Sequence, residues 1–445
     1  MAFVETLLLL ALLLFIIIVV GTPVAFAIGF VAVTGIYFLL PPSHFIQIGN
    51  VVYSEGTNIN QLIVPLFLLM AEFLAQGGIA SDLFTVLSKW LKKVKSGLGV
   101  GAVLACTIFA ALCGSSPATA AAVGRISIKE MVKRNWNENF AIGLVAAGGT
   151  IGIMVPPSIP LAIFGIITET SIVKLFMAGI LPGLLNSFLL IMFILLRAKL
   201  NPKLVGAGTE NAGQQDESPP VDLDKFKLAE LKKDLLLMSP PIALIVLILS
   251  VLYLGIATPT EMAGVGVIGA LIIIAINKKF SSGVLVDVFK ATARSSSMVM
   301  FLLFGGISLS YLVSYLGISQ ELASFMTGTI ANKWLIIIMV YAIWFILGMI
   351  IDPMSMIILT IPFIFSTLVA YGFDPIWIGI VSTLCIEIAM ITPPVGMNLF
   401  ILTSVTGTPM KEVSKGTVPF VIVLIISLIL LTIFPQIALY LPSRM

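Results

Sequence analysis

Four stretches of this chain place proline, glycine and polar side chains together inside otherwise apolar sequence. They are Gly114-Ser115-Ser116-Pro117, Gly152 with Pro156-Pro157-Ser158, residues 348–355 around Asp352-Pro353, and Thr392-Pro393-Pro394-Val395-Gly396. Proline has no amide hydrogen and its ring clashes with the preceding turn, so a helix entering any of these stretches breaks. In hydrocarbon, each N–H or C=O freed by a break costs several kcal/mol unless something polar meets it. Carbonyls at the C-terminal end of a half-helix suit Na⁺, and amides at an N-terminal end suit an anion. Ser115, Ser116 and Thr119 offer hydroxyls at the first break, and Gly152, Val155 and Pro157 offer carbonyls at the next, which together make a candidate Na⁺ cage. No Lys or Arg lies in any break. An anionic substrate is therefore expected beside Ser116, Thr119, Ser158, Asp352 and Ser355, met by amide dipoles, hydroxyls and the bound cations.

The remaining chemistry-bearing residues are few. A charge near the bilayer centre is costly and usually functional, so Asp352 is either a site residue or the cap of the helix that follows it. Glu387 is a site group or a structural partner. Glu72, in an apolar stretch, is a packing hydrogen-bond group or a site residue. His44, the only histidine, lies in a polar connection and is read as solvated. Cys106, Cys113 and Cys385 have neither disulfide nor metal spacing and are read as buried thiols. The chain has no His-Glu metal motif, nucleophile elbow or phosphate loop, which argues against an enzyme.

The elements that must position these residues are membrane helices. Of the 445 residues, 59% are hydrophobic and 10% charged, against roughly 25% charged in soluble domains. Such a chain cannot cover itself with a water-facing surface. Apolar runs at 7–20, 180–196, 242–253 and 418–431 belong to segments approaching the ~20 residues that cross hydrocarbon. They are apolar on every face, unlike the strands of a β-barrel. The net charge of +3 does not point to nucleic acid, because the basic residues sit at span ends. Two spans are expected in 4–40, split at Gly21-Thr22-Pro23, then one at 61–76 and an amphipathic interfacial helix at 81–95. A re-entrant hairpin at 97–134, a broken helix at 140–165 and a span at 172–196 follow. After a polar linker come spans at 236–255, 262–276 and 295–316, a second hairpin within 334–371, a second broken helix at 376–405 and a last span at 417–439. The first segment lacks a basic leader and a cleavage pattern, so it is read as retained.

The punctuation repeats. Ser116-Pro117 matches Asp352-Pro353, and Gly143 matches Gly379, at an offset of 236; Pro156-Pro157 matches Pro393-Pro394, Gly179 matches Gly416 and Pro182 matches Pro419 at 237. The repeat predicts a second Na⁺ cage from Gly348, Asp352, Ala389, Thr392 and Val395. Five spans separate equivalent points, an odd number, so the halves are inverted. Segments 89–95, 125–134, 197–233, 278–294 and 411–415 then face the cytoplasm and hold 21 of the 24 Lys and Arg residues, as the positive-inside rule expects.

These residues resemble the large membrane subunit of the tripartite ATP-independent periplasmic (TRAP) transporters, within the ion transporter superfamily. The resemblance spans almost the whole chain. It rests on Gly21-Thr22-Pro23-Val24-Ala25-Phe26, Gly114-Ser115-Ser116-Pro117-Ala118-Thr119, the string from Gly149-Thr150 through Pro156-Pro157-Ser158-Ile159-Pro160, Asp374-Pro375, and Thr392-Pro393-Pro394-Val395-Gly396. It implies an all-α, inverted-repeat, elevator-type transporter of the bacterial inner membrane that uses two Na⁺ ions. It also implies a small four-helix membrane subunit and a soluble periplasmic substrate-binding protein that delivers an organic acid anion. No extra helices precede the first span, so the small subunit is expected as a separate chain. Segments 1–96, 171–332 (with linker 201–235) and 409–445 are expected to form the scaffold, and 97–170 and 333–408 the two halves of the moving domain. A stand-alone dicarboxylate carrier of the same superfamily and, from another class, an anion channel are the rival readings.

Overall fold

The structure, a computed structural model, describes residues 2–94, 96–206, 228–394 and 396–445. Among these the regular elements are helices, and the only extended pairing is an isolated bridge between Trp136 and Val205.

Glycine and proline set the boundaries where the sequence predicts them. α1 (Ala2–Val19) and α2 (Val24–Leu39) are divided at Gly21, whose φ of 93° suits a residue without a Cβ. α3 (Ile46–Thr57) and α4 (Ile63–Gln76) follow. α5 (Ile79–Trp90) is the expected amphipathic arm, burying Ile79, Leu83, Phe84, Val86 and Leu87, and it ends before the lysines at 92 and 93. α6 (Gly97–Cys113) and α7 (Ser116–Lys133) pack on one another across a two-residue connection, so both outer ends lie on one side. α8 (Glu138–Thr150) and α9 (Ile159–Thr168) are the halves of the first broken helix, and α10 (Ile172–Leu200) is a long span containing Pro182. Of the linker 201–235, residues 207–227 lie outside the described residues, and its last part already belongs to α11 (Leu228–Tyr253).

α12 (Pro259–Ile276) opens with a capping box: Thr258 Oγ1 accepts from the Glu261 amide at 3.3 Å, and Glu261 Oε2 accepts from the Thr258 amide at 2.8 Å. α13 (Ser282–Tyr315) starts well before the expected 295, so Lys290 and Arg294 ride on a helix that Ser281 caps. α14 (Ile318–Thr329) is an element the sequence reading lacked. α15 (Lys333–Gly348) and α16 (Pro353–Ala370) form the second hairpin, α17 (Pro375–Met390) and α18 (Met397–Thr406) the second broken helix, and α19 (Met410–Ile433) the last span.

Seven helices among the described residues are long and apolar enough to cross a membrane. One of the seven is α16, which nevertheless folds back on α15. The broken halves contain 13 and 10 residues in one case and 16 and 10 in the other. At about 1.5 Å per residue none reaches across the ~30 Å hydrocarbon core alone, so the breaks fall inside it.

The repeat is more extensive than its punctuation. Thr22-Pro23 before α2 matches Thr258-Pro259 at α12, again 236 apart, and α5 and α14 both start on a left-handed glycine, Gly78 (φ 69°) and Gly317 (φ 67°). Packing exchanges in the way a pseudo-twofold axis requires: α2 lies on α13 and α12 on α4, while α7 lies on α18 and α16 on α9. His44 departs from its solvated reading. It is half-buried, its Nδ1 lies 2.6 Å from Tyr311 Oη, and its ring centroid lies 4.3 Å from that of Tyr315.

Candidate transport site

Each hairpin tip is set by the residue that caps its second helix. Ser115 is the N-cap of α7, and its carbonyl accepts from the Thr119 amide at 3.0 Å and from Thr119 Oγ1 at 2.9 Å. Cys113 Sγ closes the same corner, 3.1 Å from Thr119 Oγ1. Into it fits Gly152, in the single 3₁₀ turn that follows α8: a Cβ there would lie 2.8 Å from Ser115 O and 2.9 Å from Thr119 Oγ1. The Pro157 carbonyl abuts Gly114 at the same tip. The structure thus gathers Ser115, Thr119, Gly152 and Pro157 at one place, whereas Val155 sends its side chain to Gly183 of α10. Ser158, fully buried, caps α9 through Leu161 N at 3.3 Å and donates to Ile153 O at 2.5 Å, so its hydroxyl holds the break itself together.

The second tip is built from an acid. Asp352 caps α16, its Oδ1 accepting from the amides of Met354 at 3.1 Å and Ser355 at 3.0 Å, and its Oδ2 accepting from Ser355 Oγ. The capping role is therefore realised, and Ser355 is drawn into it. Gly348 lies against α17, where a Cβ would meet Ala389 Cβ at 2.7 Å. Thr392 Oγ1 donates to Ile388 O at 2.6 Å. Val395 lies outside the described residues. Both breaks contain a cis Pro–Pro bond, Pro156-Pro157 and Pro393-Pro394.

The hydroxyls of Thr119 and Thr392 are thus bonded to carbonyls of their own helices, the local alternative that such residues always have. A hydroxyl that donates keeps its acceptor lone pairs, so this bonding and cation coordination are compatible. Among the described residues, no three His, Cys, Asp or Glu side chains gather. Cys106, Cys113 and Cys385 are free and buried.

Two residues stand out against this frame. Glu387, at the repeat position of Thr150, is fully buried with both carboxyl oxygens unpartnered among the described residues, whereas the Thr150 hydroxyl donates to Ala147 O at 2.7 Å. Asn398, which the sequence reading missed, is fully buried in α18 and donates from Nδ2 to Ser116 Oγ at 2.7 Å. An asparagine in the otherwise apolar first turn after a break was the available signal. Glu72 is half-buried in α4, a helix that packs on α6 and α7 of the first hairpin.

Hairpins and broken helices paired around a pseudo-twofold axis, in a multi-pass helical membrane protein, define a transporter rather than an enzyme. Residues 11–437 match the family model described as "Tripartite ATP-independent periplasmic transporter, DctM component". The chain belongs to this family, as a large membrane subunit. It is 33% identical over 408 residues to the C4-dicarboxylate TRAP transporter large permease protein DctM of Pseudomonas aeruginosa, covering 91% of each chain. It is 30% identical to the ectoine TRAP transporter large permease protein TeaC of Halomonas elongata, covering 85% of each. Its fold resembles that of the YdaH transporter of Alcanivorax borkumensis, with a TM-score of 0.62 at 15% identity and 91% coverage of both chains.

Proposed function

We propose that this subunit is the membrane-embedded core of a Na⁺-coupled importer of an organic acid anion in the bacterial inner membrane. The observation that carries the reading is the contact of each hairpin tip with its own repeat's break through glycine: Gly152 on Ser115 and Thr119, and Gly348 on Ala389. One Na⁺ ion occupies each contact, the first held by Ser115, Ser116, Gly152, Val155 and Pro157, the second by Gly348, Asp352, Ala389, Thr392 and Val395. The anion lies between the tips, near Ser116, Thr119, Ser158, Asp352 and Ser355. Four helices, α7, α9, α16 and α18, begin at the tips and breaks and turn the positive ends of their dipoles toward it. Without Na⁺, Asp352 repels the anion; with two cations bound the same cavity attracts it, which couples the fluxes without a chemical step.

In this reading the hairpins and broken helices, with α14 tied to the second hairpin, move as one elevator domain against the remaining helices. A soluble periplasmic protein hands over the substrate, and a small membrane subunit on a separate chain completes the complex. Support for the handover is family membership and the names of the relatives, which pair this type of subunit with C4-dicarboxylate and ectoine uptake.

Uptake by proteoliposomes holding the reconstituted complex tests the proposal, over a panel of organic acids, with Na⁺ or choline outside and with or without the binding protein. Substrate affinity in Na⁺ is expected to exceed that in choline by roughly 5- to 150-fold, the span of a coupling free energy of about 1–3 kcal/mol. Equal affinities in the two salts would falsify the coupling, and uptake independent of the binding protein would favour a stand-alone carrier.

A further inference from the structure

Each candidate cation site is assembled within one repeat, yet one short stretch of chain touches both. Gly396 and Asn398 sit at the start of α18. The Gly396 amide donates to Met349 O at 2.9 Å, next to Gly348 of the second tip. Two residues on, Asn398 Nδ2 donates to Ser116 Oγ at 2.7 Å, next to Ser115 of the first tip. Both side chains of the second bond are fully buried, and Asn398 Oδ1 has no partner among the described residues. A buried amide oxygen left unpaired costs about 1–3 kcal/mol, so the residue is not there for packing alone.

The first repeat has no counterpart. At the same offset of 237, Ile159 stands for Gly396 and Leu161 for Asn398, and α9 is capped by its own Ser158 instead. The bridge therefore exists once: the Gly396 amide ties the start of α18 to the second tip, and Asn398 ties the same turn to Ser116 of the first.

We infer that Asn398 is a positioning residue that couples the two cation sites, so that filling one at the Gly348–Met349 tip sets the Ser116 hydroxyl for the other. The inference rests on the proposed Na⁺ coupling. It also assigns work within the first site: while Ser116 Oγ accepts from Asn398, its own O–H stays free to donate to the anion.

The test is Na⁺ activation of uptake by the intact complex, comparing wild type with Asn398→Leu, which installs the first repeat's residue with the same number of side-chain heavy atoms. The Hill coefficient for Na⁺ is expected to fall from about 2 toward 1, while uptake at saturating Na⁺ stays within about threefold, because coupling and not either site is lost. If Asn398→Leu does not assemble, Asn398→Ala removes the same bond without adding apolar bulk and is expected to lower the coefficient in the same way. In a double-mutant cycle with Ser116→Ala, the Asn398 substitution should be non-additive. Unchanged cooperativity in a Na⁺-dependent protein overturns this inference alone; a wild type indifferent to Na⁺ overturns the proposed function and this inference with it.

Discussion

The two repeats share a backbone plan but differ in what their arms hold. α5 is pinned to helices outside its hairpin: Lys89 Nζ lies 2.9 Å from Asp234 Oδ2 on α11, Trp90 Nε1 donates to the same oxygen at 3.3 Å, and Asp82 pairs at 3.1 Å with Lys279, just before α13. α14 instead bonds to its own hairpin. Ser319 Oγ donates to Pro362 O at 2.8 Å, and Tyr371 Oη, just beyond α16, reaches Met326 O at 2.8 Å and Ile330 O at 2.7 Å. In packing the arms are alike, since α5 lies mainly against α6 and α7 and α14 mainly against α16; in polar ties they differ, the first being bonded to its surroundings and the second to the segment it precedes. The same inequality reaches the breaks, where a satisfied Thr150 faces an unsatisfied Glu387 across the pseudo-symmetry.

The break comparison predicts the largest effects. Gly152→Leu forces the first break off Ser115 and Thr119, where even a Cβ would sit 2.8–2.9 Å from oxygen atoms. Na⁺-dependent uptake should be lost while the protein still assembles. Full Na⁺ stimulation in this variant would show that the close approach at the first tip is dispensable. Thr392→Val removes a hydroxyl from the second site only, so residual uptake with a raised Na⁺ requirement is expected; loss as complete as that of Gly152→Leu would make the two breaks equivalent.

Glu387 gives a test of opposite sign on stability and activity. A buried polar group left without a partner costs about 1–3 kcal/mol, more if charged. Glu387→Met keeps most of the volume and removes the polar atoms, so the unfolding midpoint should rise while uptake falls by roughly tenfold or more. A more stable variant with normal uptake would make Glu387 a burden without a role, and the asymmetry between the breaks would lose its meaning.

Much of this architecture was legible in the sequence because proline and glycine act locally. The breaks at Pro156-Pro157 and Pro393-Pro394, both hairpin turns and the register of the repeat follow from residues that forbid a continuous helix wherever they stand. α14 was not legible, since Ile318–Thr329 has no run of lysines to mark an interface as Lys89, Lys92 and Lys93 mark the region of α5. The early start of α13 was hidden by Lys290 and Arg294, which read as a connection but extend the helix beyond its apolar part. The partnership of His44 with Tyr311 and that of Asn398 with Ser116 join residues 267 and 282 positions apart. No periodicity reports such a contact, because it depends on how the finished helices cross. Asp352 was legible as to place but not as to role, since a carboxylate ahead of a helix both caps it and faces whatever lies beyond.

The arms give the smallest effects and the sharpest use of the comparison. If α5 belongs to a fixed frame and α14 travels with its hairpin, breaking their ties should slow transport in different ways. Lys89→Ala and Asp234→Ala remove one partly exposed ion pair, whose side chains are 30% and 12% accessible. Such a pair contributes up to about 1 kcal/mol, which sets the expected slowing at about fivefold or less. Asp234 also accepts from Trp90 Nε1, so Asp234→Ala should be the slower single variant, and the double variant should be slowed by less than the two effects combined. Tyr371→Phe deletes only the hydroxyl that holds the end of α14, and a lost neutral hydrogen bond of about 1 kcal/mol predicts a similar or smaller change in rate. The discriminating measurement is crosslinking between paired cysteines. A pair joining α5 to α11 should form with or without Na⁺ and substrate, as should a pair joining α14 to α16, whereas a pair joining α14 to α1 should change its yield when both are added. Should the α5–α11 pair change its yield and the α14–α1 pair stay constant, the assignment of fixed and travelling arms is reversed.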